Sequence, residues 1–309
     1  MRAWHHLRLI LIPALLIGSV ALMSGCAEAH PSPLKVMVAL GTDDRDFGRD
    51  EVISAFADTF DEPFMVLIND NPRAVNRHGG LLMEVNQWLQ PGRNTLTIRG
   101  PRSETLYLEV ATHQHDRVRQ VLKRKEIEPD DREEVTVEFE IGPEQEVPDH
   151  PLPHILHPHR QIPQGEQQRQ RAEQELTKWL EQLDEALQQR QGEEVARKLL
   201  AGQIQWSPRY YKTSERRMKS LLEHTAKRFS SETFVAEPID IDALRFEFGA
   251  GVVMVYRGFD DERPYRPYLT RAEIDGEANL LPPLLMAPTG DGWMVWQFGD
   301  QRATTRPRR

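Results

Sequence analysis

Cys26 is the only cysteine among the 309 residues, and it closes an apolar stretch directly after Ser24-Gly25. A second group able to do chemistry is a series of imidazoles: His113 and His115, then His150, His154, His157 and His159. Their His-x-His and His-x-x-His spacings suit zinc or copper, since neutral imidazole is a good ligand for both. No cysteine completes a structural shell, and prolines interleave the later histidines, so an extended solvated segment is expected and no metal site is assigned. Asp240, Asp242, Tyr210, Tyr211 and Tyr256 could move protons, but nothing in their spacing joins them into an acid–base set. Glycine-rich phosphate loops, zinc-protease helices and nucleophile elbows are absent from the sequence. The remaining candidate is Tyr256-Arg257-Gly258-Phe259-Asp260-Asp261-Glu262-Arg263-Pro264-Tyr265-Arg266-Pro267-Tyr268, which mixes the residue types enriched at interface hot spots. Tyr265, Arg266 and Tyr268 are its expected protein-binding anchors. The alternative is a long hairpin loop whose prolines keep sheet edges from pairing.

The elements that must position these side chains divide the chain. Arg2 and Arg8 make a basic start, and the stretch 9–23 carries no charge. A secretory core needs only about 7–15 apolar residues, whereas a bilayer-spanning helix needs about 20. Residues 1–25 are therefore expected to be a processed leader. Pro13 interrupts them.

Leu22-Met23-Ser24-Gly25-Cys26 resembles the lipobox of bacterial lipoprotein precursors, with Met23 standing where that family usually has an aliphatic residue. The resemblance implies that Cys26 is the lipid attachment site, carrying diacylglyceryl and amide-linked (palmitate-type) chains on a new N-terminus. Ala27 in place of Asp implies the outer membrane, on its periplasmic face. Ordinary cleavage after Ala27-Glu28-Ala29 is the alternative. Loss of residues 1–25 removes two arginines and no acid, so 39 basic residues become 37 against 48 acidic ones, and the net charge moves from −9 to −11. Such a chain gains nothing from phosphate backbones, so nucleic acid is excluded as a partner. With Cys26 acylated, stability must come from apolar cores rather than disulfides.

Residues 34–141 alternate with period two and are punctuated by Gly, Pro and Asn, which predicts an all-β sandwich, jelly-roll or immunoglobulin-like. Within it, the densely charged stretch 116–134 is expected as an exposed insertion with a short helix. Val66-Leu67-Ile68-Asn69, followed by Glu84-Val85-Asn86-Gln87-Trp88-Leu89-Gln90-Pro91-Gly92-Arg93-Asn94-Thr95-Leu96-Thr97-Ile98, is similar to the jelly-roll accessory domains of bacterial glycosidases. On that pattern Leu89 plugs the sandwich end and Asn94 bonds its own turn. It concerns folding residues rather than ligand contacts.

A Pro- and His-rich linker is expected over 142–165. Beyond it, Leu176, Trp179, Leu180, Leu183 and Leu187 share a helical face, Gly192 breaks the helix, and a second, shorter helix reaches Leu200. A loop is expected at Trp206-Ser207-Pro208, then a third helix over 214–229 and strands to residue 298. Helices followed by strands predict an α+β domain over 166–300, with helices packed on a curved antiparallel sheet. The closing Gly290-Asp291-Gly292-Trp293 strand resembles the ketosteroid-isomerase-like, or cystatin-like, cone fold, which implies a pocket. Residues 301–309 are expected as a basic tail. Three functions remain open: a non-catalytic envelope lipoprotein that binds or scaffolds an envelope protein partner, an enzyme with its site in the C-terminal pocket, and a periplasmic metal handler using the linker histidines. The first is favoured, with no cofactor.

Overall fold

The structure is a computed structural model, and it describes residues 35–41, 59–78, 81–100, 105–114, 117–128, 134–142, 162–163, 165–210, 213–258 and 268–298. Its described part is mostly antiparallel β-sheet with three helices.

Eight strands come first: β1 (Lys35–Gly41), β2 (Thr59–Ile68), β3 (Asn71–His78), β4 (Leu81–Glu84), β5 (Gly92–Arg99), β6 (Leu106–Gln114), β7 (Arg117–Ile127) and β8 (Glu134–Ile141). They form two four-stranded sheets, ordered β4-β1-β6-β7 and β3-β2-β5-β8. The period-two pattern explains the arrangement. Val36, Val38 and Leu40 of β1 and Leu96 and Ile98 of β5 enter one cluster with Val137, Phe139 and Ile141 of β8, while Glu138 and Glu140 face outward. Leu89, expected to plug the sandwich end, is buried in this cluster, and Trp88 beside it is buried too.

The charged stretch after residue 116 is not a helical insertion. It is β7, an eleven-residue strand paired along the whole of β6. Its cations are compatible with a strand because β7 is an edge, with one neighbour among the described strands, and such edges favour charge.

Helices α1 (Glu166–Gln188), α2 (Gly192–Tyr210) and α3 (Glu215–Phe229) follow. The face predicted for α1 is observed, with Leu176, Leu180 and Leu183 fully buried and Trp179 at its margin. Ser214 caps α3 by accepting a hydrogen bond from the Arg217 N–H. The loop expected at Trp206-Ser207-Pro208 is instead the last turn of α2. Pro208 sits so near the end that it removes one helical hydrogen bond, and the Trp206 indole N–H donates to the Trp296 carbonyl at 2.9 Å.

Seven strands close the fold: β9 (Val235–Ala236), β10 (Leu244–Phe248), β11 (Val253–Arg257), β12 (Thr270–Ile274), β13 (Glu277–Leu281), β14 (Leu284–Pro288) and β15 (Trp293–Phe298). Pro282-Pro283 separates β13 from β14, since proline cannot donate to a ladder. One sheet runs β10-β11-β14-β15 and a smaller one β13-β12-β9.

The four-stranded sheet is buried on both faces. Met254, Leu285, Ala287, Met294 and Trp296 join the cluster of the first eight strands. Their neighbours Val253, Val255, Leu284, Met286 and Val295 pack with Leu176, Leu180 and Leu183 of α1. That double burial accounts for the unbroken apolar runs Val252-Val253-Met254-Val255 and Leu284-Leu285-Met286-Ala287. Ile162, inside the expected linker, is also buried in the second cluster, at 3% exposure.

Candidate functional site

The Tyr/Arg/Pro loop springs from two fixed feet. At its start, Arg257 is buried and its Nη2 lies 3.3 Å from Asp240 Oδ2. The Gly258 N–H donates to the Ala243 carbonyl at 2.8 Å. At its end, the Leu269 N–H donates to the Leu281 carbonyl at 2.8 Å, and the Thr270 hydroxyl donates to the Glu237 carbonyl. Tyr268 stands at this second foot, half-buried. Tyr265 and Arg266 lie outside the described residues, as does Cys26.

The proton-transfer candidates are not brought together. Asp240 is spent on the Arg257 ion pair, and Asp242 is exposed on the short turn Ile241–Ala243. Tyr256 precedes Arg257 on β11, so the two side chains leave opposite faces of the sheet. Tyr256 packs against the first cluster opposite Arg245. Burial raises its phenol pKa, the Glu247 carboxylate raises it further, and Arg245 opposes both. Tyr210 ends α2 with its side chain outside the described residues, where Tyr211 also lies. His113 lies on β6, while His115, His150, His154, His157 and His159 are outside the described residues. Among the described residues, no group of three or more His, Cys, Asp and Glu side chains is placed to hold a metal ion.

One recess, of about 550 Å³, lies between the outer face of α1 and Phe246, lined by Gln170, Glu173, Thr177, Lys178 and Glu181 among others. It is shallow and open, and its charged groups stand on a solvated helix face. Such a surface can weakly hold a polar ligand, but it does not exclude water as an enclosed site does.

The best-organised polar cluster is one that sequence reasoning did not single out. Asn69 and Asp70 both adopt positive φ, 47° and 60°, in the two-residue turn between β2 and β3. Asn69 donates to the Trp88 carbonyl at 2.7 Å and to Asn94 Oδ1 at 2.8 Å, and it accepts from the Thr95 N–H at 2.9 Å. Asn94 donates to the Gln90 carbonyl at 2.8 Å, bonding its own turn as the sequence grammar predicts. The same β2–β3 turn receives the β10–β11 hairpin. The Ala250 N–H donates to the Asp70 carbonyl at 3.0 Å, and the Gly251 N–H donates to Asn71 Oδ1 at 2.6 Å. Beside it Arg73, 1% exposed, donates to the carbonyls of Phe298 at 3.2 Å and Glu84 at 3.3 Å and lies over the Trp88 ring. Arginine is so rarely buried that its presence in β3 carries no sequence signal. The Asn69-Asp70-Asn71-Pro72 turn residues were the available clue. Every partner in this cluster belongs to the fold itself, so its role is to clamp the hairpin of the last sheet onto the first eight strands.

Comparison of the chain with protein-family models, with curated proteins and with solved structures finds no match.

Proposed function

We propose that this chain is a bacterial envelope lipoprotein, anchored through acylated Cys26, that binds or scaffolds a protein partner and performs no catalysis. The observation that carries the reading is Ser24-Gly25-Cys26 at the end of an uncharged run after a basic start. Two acylated positions give lasting membrane attachment, whereas a single chain is marginal. The anchor would hold the molecule at the periplasmic face of the outer membrane. A jelly-roll-like first unit and a cone-like second unit would serve as frames in this reading, rather than as catalytic scaffolds.

The recognition element proposed is the loop 259–267 with its foot Tyr268. A tyrosine offers an apolar body and a polar tip, which suits a surface that is wet when free and dry when bound. Its support is the way both feet are held, by the Arg257–Asp240 ion pair and by the Leu269 and Thr270 hydrogen bonds. Fixed feet lower the ordering cost of binding.

The test is recovery of partners from detergent-solubilised membranes with the acylated chain as bait, after the N-terminal peptide has been weighed by mass spectrometry. The expected peptide begins at Cys26 and carries acyl chains; an unmodified N-terminus at His30 would refute the anchor. Replacing Tyr265, Arg266 and Tyr268 by Ala is expected to abolish partner recovery, because one true hot-spot residue is worth about 2 kcal/mol, or roughly thirtyfold in affinity. Unchanged recovery would refute the loop.

A further inference from the structure

The edge strand β7 reverses the charge of the molecule. Residues 117–125 read Arg-Val-Arg-Gln-Val-Leu-Lys-Arg-Lys, five cations in a chain of net charge −9, and the one acid of the strand, exposed Glu126, follows them. Arg119, Arg124 and Lys125 are exposed, Lys123 is half-buried, and Val121 is one of two exposed large apolar residues among the described ones. Arg124 is paired across to β6, its Nε lying 2.6 Å from Glu109 Oε2. Edge protection explains one or two lysines on such a strand. It does not explain five cations in nine residues, three of them consecutive.

Register locates the strand relative to the membrane tether. Lys35, the first residue of β1, pairs with His113, and His113 pairs with Val118. Both pairings are antiparallel, so β1 and β7 run the same way and begin at the same end of the sheet. Two strand spacings, about 10 Å, separate their first residues. Only eight residues lie between Cys26 and Lys35, a reach of at most roughly 30 Å. At the far end of β7 stand exposed Glu126 and Glu128, so the charge inverts away from the tether.

We infer that β7 is a membrane-docking surface that lays its cations against anionic phospholipid headgroups. A lipid surface is favoured over an acidic protein strand because the tether brings this end of the sheet to the bilayer without a separate encounter. The placement rests on the acylation of Cys26 proposed above, whereas the strand's affinity for anionic lipid does not. Each Lys or Arg near an anionic leaflet strengthens binding about fivefold, and screening by salt removes the effect.

The chain from Ala27 onward contains every described element, the first of which begins at Lys35. Without acyl chains, it should co-sediment with vesicles of phosphatidylcholine mixed with phosphatidylglycerol. It should not co-sediment with phosphatidylcholine alone, and high salt should release it. The triple variant Arg119→Gln/Lys123→Gln/Lys125→Gln should bind on the order of 100-fold more weakly. Arg216→Gln/Lys219→Gln/Lys227→Gln, which removes the same charge from exposed positions of α3, should bind like the parent. Equal binding to both vesicle types, retained binding by the β7 variant, or equal losses in both variants would overturn the inference. Tighter binding to duplex DNA or to a polyglutamate peptide than to the anionic vesicles would also overturn it. An unacylated Cys26 in the mass spectrum would remove the tether and leave the sedimentation result to stand by itself.

Discussion

Strands β7 and β11 are both rich in branched residues, yet they occupy opposite extremes of the fold. β11 lies inside a sheet with a hydrophobic cluster on each face, and no position from Val252 to Val255 is polar. β7 has one neighbour among the described strands and mixes apolar residues with five cations, three of them consecutive. The difference shows that strand content and strand role are separate properties here. A strand buried on both faces can hold a charge only with a partner, as β11 does at its end with Arg257 beside Asp240, while an edge strand gains from charge because it blocks unwanted pairing. The first half of the molecule is thus completed by the second, since the cluster of the eight-stranded part is closed by Met254, Leu285 and Trp296.

The largest test of that contrast is Trp296→Ala. Trp296 is 2% exposed, and it meets both the first cluster and the α2 residue Trp206. Its loss should cost about 3–5 kcal/mol, read from denaturant unfolding. Because the cluster is shared, probes in both halves should report the loss in one transition. Two separated transitions, with only one shifted, would break the idea of a common core.

A smaller effect is expected where the β10–β11 turn meets the β2–β3 turn. A methyl group on Gly249 would collide with the Pro72 ring and come within 2.8 Å of the Asp70 carbonyl oxygen. Gly249→Ala should destabilise the protein by about 1–3 kcal/mol, and the exposed Gly290, with open space around it, should tolerate the same change. Calorimetry of both variants checks the difference.

The smallest effect is electrostatic. The Tyr256 pKa is raised in the fold, chiefly by burial, so the unfolded chain loses this proton first. As pH rises past the ordinary tyrosine value near 10, the unfolded state binds fewer protons than the native one and stability falls. The contribution is fully present below that pH and is lost as pH climbs through the raised value. Tyr256→Phe should flatten this alkaline loss in urea titrations; an unchanged slope would mean that other groups cause it.

Much of the fold was legible because one face of an element was apolar. β1, β5 and β8 alternate, and α1 and α3 carry a stripe, so local pattern and tertiary burial agree. Illegible features were those where tertiary contacts overrode a local rule. Cations in β7, Pro72 and Arg73 in β3, and Pro208 in α2 each argue against the element that contains them. The runs in β11 and β14 implied burial on both faces, but nothing in them named what lies across from each face. Of the candidate loop, Tyr268 and the residues at both feet belong to the described structure. The clamp of Asn69, Asn71 and Arg73 is not legible because Pro72 and Arg73 argue against the strand that follows the turn.

Burial of Ile162 bears on the segment before it. Upstream, the chain is held by β8, which ends at Ile141; downstream, it is held again at Ile162, beneath α1. Both ends of the intervening segment are thus held by the fold, one by β8 and the other by the second cluster. A protease cut there would convert the molecule into a split protein, whose two chains still share the face of the β10-β11-β14-β15 sheet. The peptide connection would then matter as a source of effective concentration for the two parts. Assembly of the halves would become dilution-dependent once that connection was gone.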